Sequence, residues 1–337
     1  GGEQPLLTAG STQGGTMKYR LGDSGEFVDS IPTGKDAGTY TVYYKVVGDG
    51  NHNDTAEQPI TVTIKPMELS RFVLGIDSLT KAYDGTASAS LDKDEITFRS
   101  NGATVSLPAD AYDIKNARFT VRTDGSYQDS PEAGEGKSLS FTVTLKSDNY
   151  VFKGDGESKT LDCNITGEAK SFTITKATAP EVTVQPAVTV INGLAKTYEM
   201  VLTDNYLPKL NSPCESGSVS YSVKGTYLTD GYKDTVKAEI VEENGQYKLK
   251  LIVPAVDYDR ESSVGTLQLK VVSDNYQDLT LTIGVKAKNR TVPVPDGTIS
   301  ATDITYGQKL SDSKITGKMK DPDTGVEVEG TFSWQQP

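Results

Sequence analysis

The feature that most constrains this chain is a strict two-residue alternation of apolar and polar side chains. Tyr40, Val42, Tyr44 and Val46 point one way, while Thr39, Thr41, Tyr43 and Lys45 point the other. Leu139, Phe141, Val143 and Leu145 alternate in the same way with Ser140, Thr142 and Thr144. Leu267, Leu269 and Val271 alternate with Gln268 and Lys270, and Leu279, Leu281, Ile283 and Val285 with Thr280 and Thr282. Successive strand residues face opposite sides of a sheet, so each run predicts a strand with one face on a core and one in water. Thr on the wet face suits a strand, because β-branched side chains pack well on a pleated surface. No segment keeps apolar residues at helical spacing for the ten or more positions a helix needs. The nearest candidate, Lys237 to Glu243, reads equally well as a strand through Val236, Ala238 and Ile240. The fold class expected is all-β.

Turn chemistry separates the runs. Asp84-Gly85, Asn101-Gly102, Thr123-Asp124-Gly125, Glu243-Asn244-Gly245 and Gly48-Asp49-Gly50-Asn51 supply residues that tolerate the positive φ of tight hairpins. Such signals at short intervals are what a sandwich of antiparallel strands produces. Three similar strands, Ile60 to Pro66, Ser171 to Lys176 and Leu279 to Val285, recur about 110 residues apart and look like the closing strands of successive modules. Short linkers follow them: Lys65-Pro66-Met67, Lys176 to Pro180 and Asn289 to Pro293. The expected organisation is a tandem array of Ig-like antiparallel β-sandwich modules at residues 1–66, 67–176, 177–290 and 291–337. A second repeated feature is Ser147-Asp148-Asn149-Tyr150, matched by Ser273-Asp274-Asn275-Tyr276, with Asp204-Asn205-Tyr206 between them. The expectation for each is an Asn in a left-handed turn followed by a Tyr returning to the core.

Several short motifs carry a family resemblance. Gly2-Glu3-Gln4-Pro5-Leu6, Asp36-Ala37-Gly38-Thr39-Tyr40 and Gly48 to Asp54 together resemble the mostly-beta-gut repeat of bacterial surface proteins. Lys81-Ala82-Tyr83-Asp84-Gly85-Thr86 resembles the signature of the YDG repeat that often accompanies it. Ile304 to Leu310, with Gly330-Thr331-Phe332-Ser333-Trp334, resembles the opening half of another such module. Residues 177–290 are matched only by their strand pattern. The resemblance implies β-sandwich repeats of large, often wall-anchored proteins of Gram-positive gut bacteria. It further implies that residues 1–66 lack an opening strand and that residues 291–337 stop at Gln336-Pro337 before a closing one. Open sheet edges at residues 1–20 or 291–337 would then give a monomer with weak self-association; the alternative is that the partial modules hold together alone, their edges blunted by Lys318, Lys320 and Asp321.

Charge narrows the partners. With 34 basic against 46 acidic residues the net charge is −12, and a polyanion is repelled because nucleic-acid affinity rests on phosphate neutralisation. Nucleic acid and direct membrane insertion are not expected, since no stretch approaches the ~20 apolar residues of a membrane span.

Candidate chemistry is sparse. His52, the only histidine, lies in the polar turn Asn51-His52-Asn53-Asp54 with no Ser or Cys nearby, so it reads as an exposed turn residue. Cys163 alternates with Leu161 and Ile165 on a strand and Cys214 sits in a loop, so both are expected as unpaired thiols. A zinc site needs three or four ligands, which one His and two distant Cys do not supply. Asp257 with Asp259, or Asp321 with Asp323, are the nearest carboxylate pairs and read as solvated loop residues rather than a glycosidase couple. The oxygen-rich runs Gly48 to Asp54 and Asp321-Pro322-Asp323 raise calcium as a rival, but neither has EF-hand spacing. Tyr, 17 against 8 Phe and one Trp, could stack on sugars, yet core packing explains it better. A Lys–Asn isopeptide link needs a buried Lys, and Lys45 and Lys270 fall on polar faces. No catalytic, cofactor-binding or metal residue is therefore assigned, and no cofactor is expected. The function expected is a non-catalytic structural and adhesive segment, not an enzyme, of a secreted cell-surface protein. Its candidate partners are glycans or host extracellular proteins. The alternative is a carbohydrate-binding accessory region of a glycan-degrading enzyme.

Overall fold

The computed structural model describes residues 1–154, 158–167, 170–229, 231–258, 260–322 and 325–335. Among them the regular elements are strands, with three single-turn 3-10 segments at Lys93–Glu95, Asp204–Tyr206 and Leu310–Asp312, and no α-helix. The chain is all-β and Ig-like. It divides into two compact units. The first holds Gly1–Ala177 with the short segments Asn211–Gly217 and Asp274–Tyr276; the second holds Thr178–Leu210, Ser218–Ser273 and Gln277–Pro337.

The first unit opens with a three-stranded antiparallel sheet in the order Gly15–Leu21, Gly38–Gly48, Gln58–Ile64. Alternation sets its faces as expected: Tyr40, Val42 and Tyr44 turn inward around Leu6 and Tyr19, with Val62 and Ile64 beside them. The other face is not simply wet. The Arg20 guanidinium stacks over Phe27 and Tyr43 at 5.1 and 4.6 Å, and the Lys45 ammonium sits 4.9 Å from the Phe27 ring. Cation–π stacking lets aromatic residues occupy a polar face.

The rest of this unit is a sandwich. One sheet runs Ser126–Asp129, Tyr112–Thr123, Gly134–Leu145, Ser171–Thr175, Ser78–Ala82, with Thr160–Ile165 also pairing along Gly134–Leu145. Opposite it lie Arg71–Leu74, Ile96–Ser100 and Ala103–Val105. Phe119, Leu139, Phe141, Val143 and Phe172 are buried to 2% exposure or less. Phe98 meets Tyr112 edge-on at 5.2 Å, a favoured arrangement for aromatic pairs.

Two expectations about polar residues need correction here. Ser140, placed on a wet face by alternation, is buried, because its hydroxyl lies within a chain of bonds from Thr120 Oγ1 (3.0 Å) to Asn164 Oδ1 (2.6 Å). A buried lysine also exists. Lys137 is 8% exposed and donates to Ser130 Oγ at 2.6 Å, and burial holds its ammonium pKa down despite Glu132 nearby. Ser140 follows from packing over the second face of Gly134–Leu145, whereas Lys137 shares the face of Leu139 and Phe141.

The second unit contains a four-stranded sheet, Ala187–Ile191, Leu279–Lys288, Ser262–Ser273, Val219–Leu228, and a three-stranded one, Lys196–Val201, Gln246–Val253, Lys237–Glu243. Val190, Leu249, Leu251, Val264, Leu267, Leu269 and Ile283 form its core, each at 1% exposure or less. Lys237–Glu243 is a strand, which resolves the ambiguity of that segment, and it joins Gln246–Val253 through Asn244 and Gly245 at φ of 53° and 76°. Residues beyond 291 form only two-residue strand pairs, and Ser313 is the one buried residue described there.

Both sandwiches close alike. In each, the last strand pairs antiparallel with a long strand on one edge, Gly134–Leu145 or Ser262–Ser273, and parallel with an early strand on the other. Ser171–Thr175 lies parallel to Ser78–Ala82, and Leu279–Lys288 lies parallel to Ala187–Ile191.

Candidate functional site

The repeated Asp-Asn-Tyr motif turns out to be a connector. In the first unit the Ala37 N–H donates to Asn149 Oδ1 at 2.5 Å, and Asn149 Nδ2 donates to Asp36 Oδ1 at 2.8 Å. The Met67 N–H donates to the Asn149 carbonyl at 2.8 Å, and Met67–Leu69 then runs parallel to Tyr150–Phe152. The same unit repeats this pattern. The Ala133 N–H donates to Asn275 Oδ1 at 2.9 Å, the Ala177 N–H donates to the Asn275 carbonyl at 3.0 Å, and Ala177 pairs parallel with Tyr276.

In both copies the capped alanine follows an acidic residue and precedes the glycine that opens a long strand, Gly38–Gly48 or Gly134–Leu145. A turn alanine there has an N–H with no sheet partner, and a side-chain amide oxygen satisfies it. The copies differ in the second amide bond. Asn149 gives it to the Asp36 carboxylate. Asn275 gives it to the Glu215 carbonyl at 3.0 Å, while the Glu132 carboxylate is engaged by the Ser130 hydroxyl.

Neither Asn149 nor Asn275 has a positive φ. The left-handed turn expected for them is therefore incorrect; the side chain, not the backbone, is what the position needs. The third copy is different again. Asp204–Tyr206 is a 3-10 turn in the second unit, where Tyr206 packs against the core.

Around Asn275 the YDG-like loop completes the seam. Asp84 Oδ1 accepts the Thr86 N–H and hydroxyl at 2.9 and 2.8 Å, and Lys81 Nζ reaches Asp84 at 2.7 Å and the Thr86 and Ser88 carbonyls at 2.9 and 3.0 Å. This holds the loop so that the Tyr83 hydroxyl accepts the Glu215 N–H at 2.8 Å and donates to its carbonyl at 3.0 Å. The Tyr83 ring meets Tyr276 edge-on at 5.5 Å. Gly85 is required twice over: its φ is +77°, and a Cβ there would lie 2.7 Å from the Pro213 backbone. Tyr276 is buried, and burial, with the Cys214 thiol bonded to it, pushes its hydroxyl up to about 12.

Burial tends to raise the Asp84 carboxyl pKa, but Lys81 and Thr86 outweigh it and hold it below the usual range. A carboxyl with a depressed folded pKa contributes stability above its unfolded pKa and loses it as pH falls through the folded value. Asp84→Asn should therefore flatten the acid limb of the unit's stability below about pH 4. Urea midpoints of both proteins measured from pH 7 to pH 2 would test this, and parallel curves would refute it.

The other sequence candidates remain scattered. His52 is exposed and contacts Asp49 Oδ1 at 2.8 Å. Asp49 also accepts the Asn51 N–H, and Asp54 the Gly48 N–H, so this oxygen-rich run is a self-bonded turn. Among the described residues no three His, Cys, Asp or Glu side chains gather as metal ligands. Asp259 and Asp323, each half of a candidate carboxylate pair, lie outside the described residues, as do Gln336 and Pro337. Asp321 takes the Thr291 hydroxyl at 2.5 Å. Cys163 and Cys214 are both free thiols; burial pushes the Cys163 thiol up to about 12. Trp334 donates its indole N–H to the Ser313 carbonyl. No helix among the described residues is long and apolar enough to cross a membrane.

No family model matches the chain. It is 24% identical over 196 residues to a phosphoglycerate kinase of Penicillium chrysogenum, covering 48% of this chain and 46% of the kinase. A Penicillium citrinum phosphoglycerate kinase is 26% identical over 173 residues, covering 43% and 40%. The chain thus spans under half the length of these relatives, and identity this low does not place it among them. Solved structures that resemble the chain include the human desmocollin-1 ectodomain (12% identity, TM-score 0.26, 95% of this chain and 64% of that one). Titin I-band domains I67–I69 match at 12% and TM-score 0.31, covering 81% and 88%, and the surface layer protein SbsC, domains 1–6, at 14% and 0.22, covering 96% and 40%.

Proposed function

We propose that this chain is a non-catalytic structural and adhesive segment of an extracellular repeat protein. The observation that carries the reading is the seam built twice on the same plan, with an Asn amide capping an Ala-Gly turn and its carbonyl receiving the next stretch of chain. A binding or catalytic site converges polar groups on an open cleft. Here the repeated polar groups converge on each other and on backbone, and they leave nothing for a substrate. The five buried tyrosines, Tyr19, Tyr83, Tyr112, Tyr232 and Tyr276, and the self-bonded Asp loops fit the same reading.

The resemblance of residues 81–86 to the YDG signature and of residues 36–40 to mostly-beta-gut repeats supports a home on the surface of a Gram-positive gut bacterium, anchored to its wall. Surface glycans or host proteins are the partners such a segment would meet. Single-molecule pulling from the two ends tests the mechanical part of the reading. The chain should extend in discrete cooperative steps, and Asn275→Ala should lower the force of one of them. Smooth extension without force peaks would refute a load-bearing role.

A further inference from the structure

Asparagine followed by glycine occurs at Asn101-Gly102, Asn192-Gly193 and Asn244-Gly245. The pair is chemically labile, because glycine leaves its own backbone nitrogen free to reach the asparagine side chain. That nitrogen attacks the carboxamide carbon, a C–N bond forms, ammonia leaves and a cyclic imide results. Water then opens the imide at either carbonyl, giving aspartate or isoaspartate. The net change is one water taken up and one ammonia released, with no oxidant or reductant. We propose that Asn101 is a site of spontaneous deamidation on the folded chain, while Asn244 reacts slowly and Asn192 is closed.

Asn192 is closed by its bonds. It is 6% exposed, its Oδ1 accepts the Tyr232 hydroxyl, and its Nδ2 donates to the Arg260 carbonyl and to Asn289 Oδ1. The Gly193 N–H donates to the Val256 carbonyl at 2.8 Å. Neither reacting group is free to turn toward the other.

Asn101 and Asn244 are both exposed, at the tips of two-residue hairpins. Their φ angles are 49° and 53°, and those of the following glycines 83° and 76°. From this paired left-handed geometry the turn must open before the glycine nitrogen can meet the carboxamide, so local hairpin stability sets the rate. Three residue pairs, between Ile96–Ser100 and the edge strand Ala103–Val105, hold the Asn101 turn. Seven pairs, between Lys237–Glu243 and Gln246–Val253, hold the Asn244 turn.

Charge acts in the same direction. The attacking species is the deprotonated glycine amide, which a nearby cation favours and a nearby carboxylate disfavours. The Arg99 guanidinium donates to the Gly102 carbonyl at 2.9 Å. Asn101 also lines a groove with Lys65 and Lys153, which supply counter-charge for the carboxylate that deamidation creates. Asn244 instead follows two carboxylates, Glu242 and Glu243, and Lys248 and Lys250 are both engaged by Glu243.

The whole chain, held folded in mildly alkaline heavy-oxygen water and then digested with trypsin in ordinary water, tests this by mass spectrometry. The three asparagines fall in separate tryptic peptides, residues 100–115, 177–196 and 238–248. Label should accumulate first in residues 100–115, about ten-fold more slowly in residues 238–248, and not in residues 177–196. In urea the three peptides should react at similar rates, because the dipeptide is the same in each. Labelling of Asn244 or Asn192 as fast as that of Asn101, or an unmodified 100–115 peptide, would overturn the proposal. So would the same ranking in urea, which would trace the order to local sequence and not to the fold.

Discussion

Asn275→Ala should destabilise the first unit by about 2 kcal/mol, and Asn149→Ala by about 1 kcal/mol, from the loss of hydrogen bonds whose partners are left in a partly desolvated place. Asn275 is 2% exposed, and its amide serves the Ala133 N–H and the Glu215 carbonyl at once. Asn149 is half-buried, so water replaces its lost bonds more easily. For a unit of this size the larger loss lowers the melting midpoint by about 4–8 °C. Asn275→Asp separates the two bonds. The carboxylate still accepts from Ala133 but repels the Glu215 carbonyl, so it should fall between wild type and the alanine variant. Amide exchange at Ala133 should speed up in Asn275→Ala, while Ala177, bonded to the residue-275 carbonyl, changes less. Unchanged exchange at Ala133 would remove the seam as a structural element.

Much of this fold was legible because alternation is a local property. Tyr40, Val42 and Tyr44 declare a face whatever they pack on, and Asp124-Gly125, Asn101-Gly102 and Asn244-Gly245 each adopt the paired positive φ of a tight hairpin. What stayed hidden depends on residues far apart in sequence. Ser140 reads as wet until Thr120 and Asn164 are brought beside it. The seam was half legible. The recurrence of Ser-Asp-Asn-Tyr marked a repeated job, but its partners, Ala37 and Ala133, lie 112 and 142 residues away. A local turn was therefore the natural explanation, and a clue lay unused in the second repeat, Asp36-Ala37-Gly38 and Glu132-Ala133-Gly134. Three copies of Asp-Asn-Tyr also looked equivalent, although only two continue into a parallel pairing with the chain that follows a closing strand.

In the second unit the largest loss is expected from Asn192→Ala, about 4 kcal/mol, because it orphans a buried phenol and breaks a knot between strands. Tyr232 is 1% exposed and donates its hydroxyl to Asn192 Oδ1 at 2.5 Å. Asn192 Nδ2 donates in turn to the Arg260 carbonyl at 3.1 Å and to Asn289 Oδ1 at 2.6 Å, and its own N–H reaches the Lys288 carbonyl at 2.8 Å. One side chain thus ties the end of Ala187–Ile191 to the end of Leu279–Lys288. Tyr232→Phe leaves only one acceptor short and should cost about 1.5 kcal/mol. Because the two residues share a bond, the double variant should cost less than the sum of the singles by about 1–2 kcal/mol. Burial raises the Tyr232 hydroxyl pKa. A phenol raised in the folded state contributes stability that is fully present below its unfolded pKa, near 10, and is lost as pH rises through the folded value. The alkaline limb of the wild-type curve should therefore fall above about pH 10, and Tyr232→Phe should flatten it. Denaturant unfolding of the four proteins between pH 7 and pH 11 measures both effects. Additive single variants, or an alkaline limb unchanged in Tyr232→Phe, would show that this knot does not hold the closing strand.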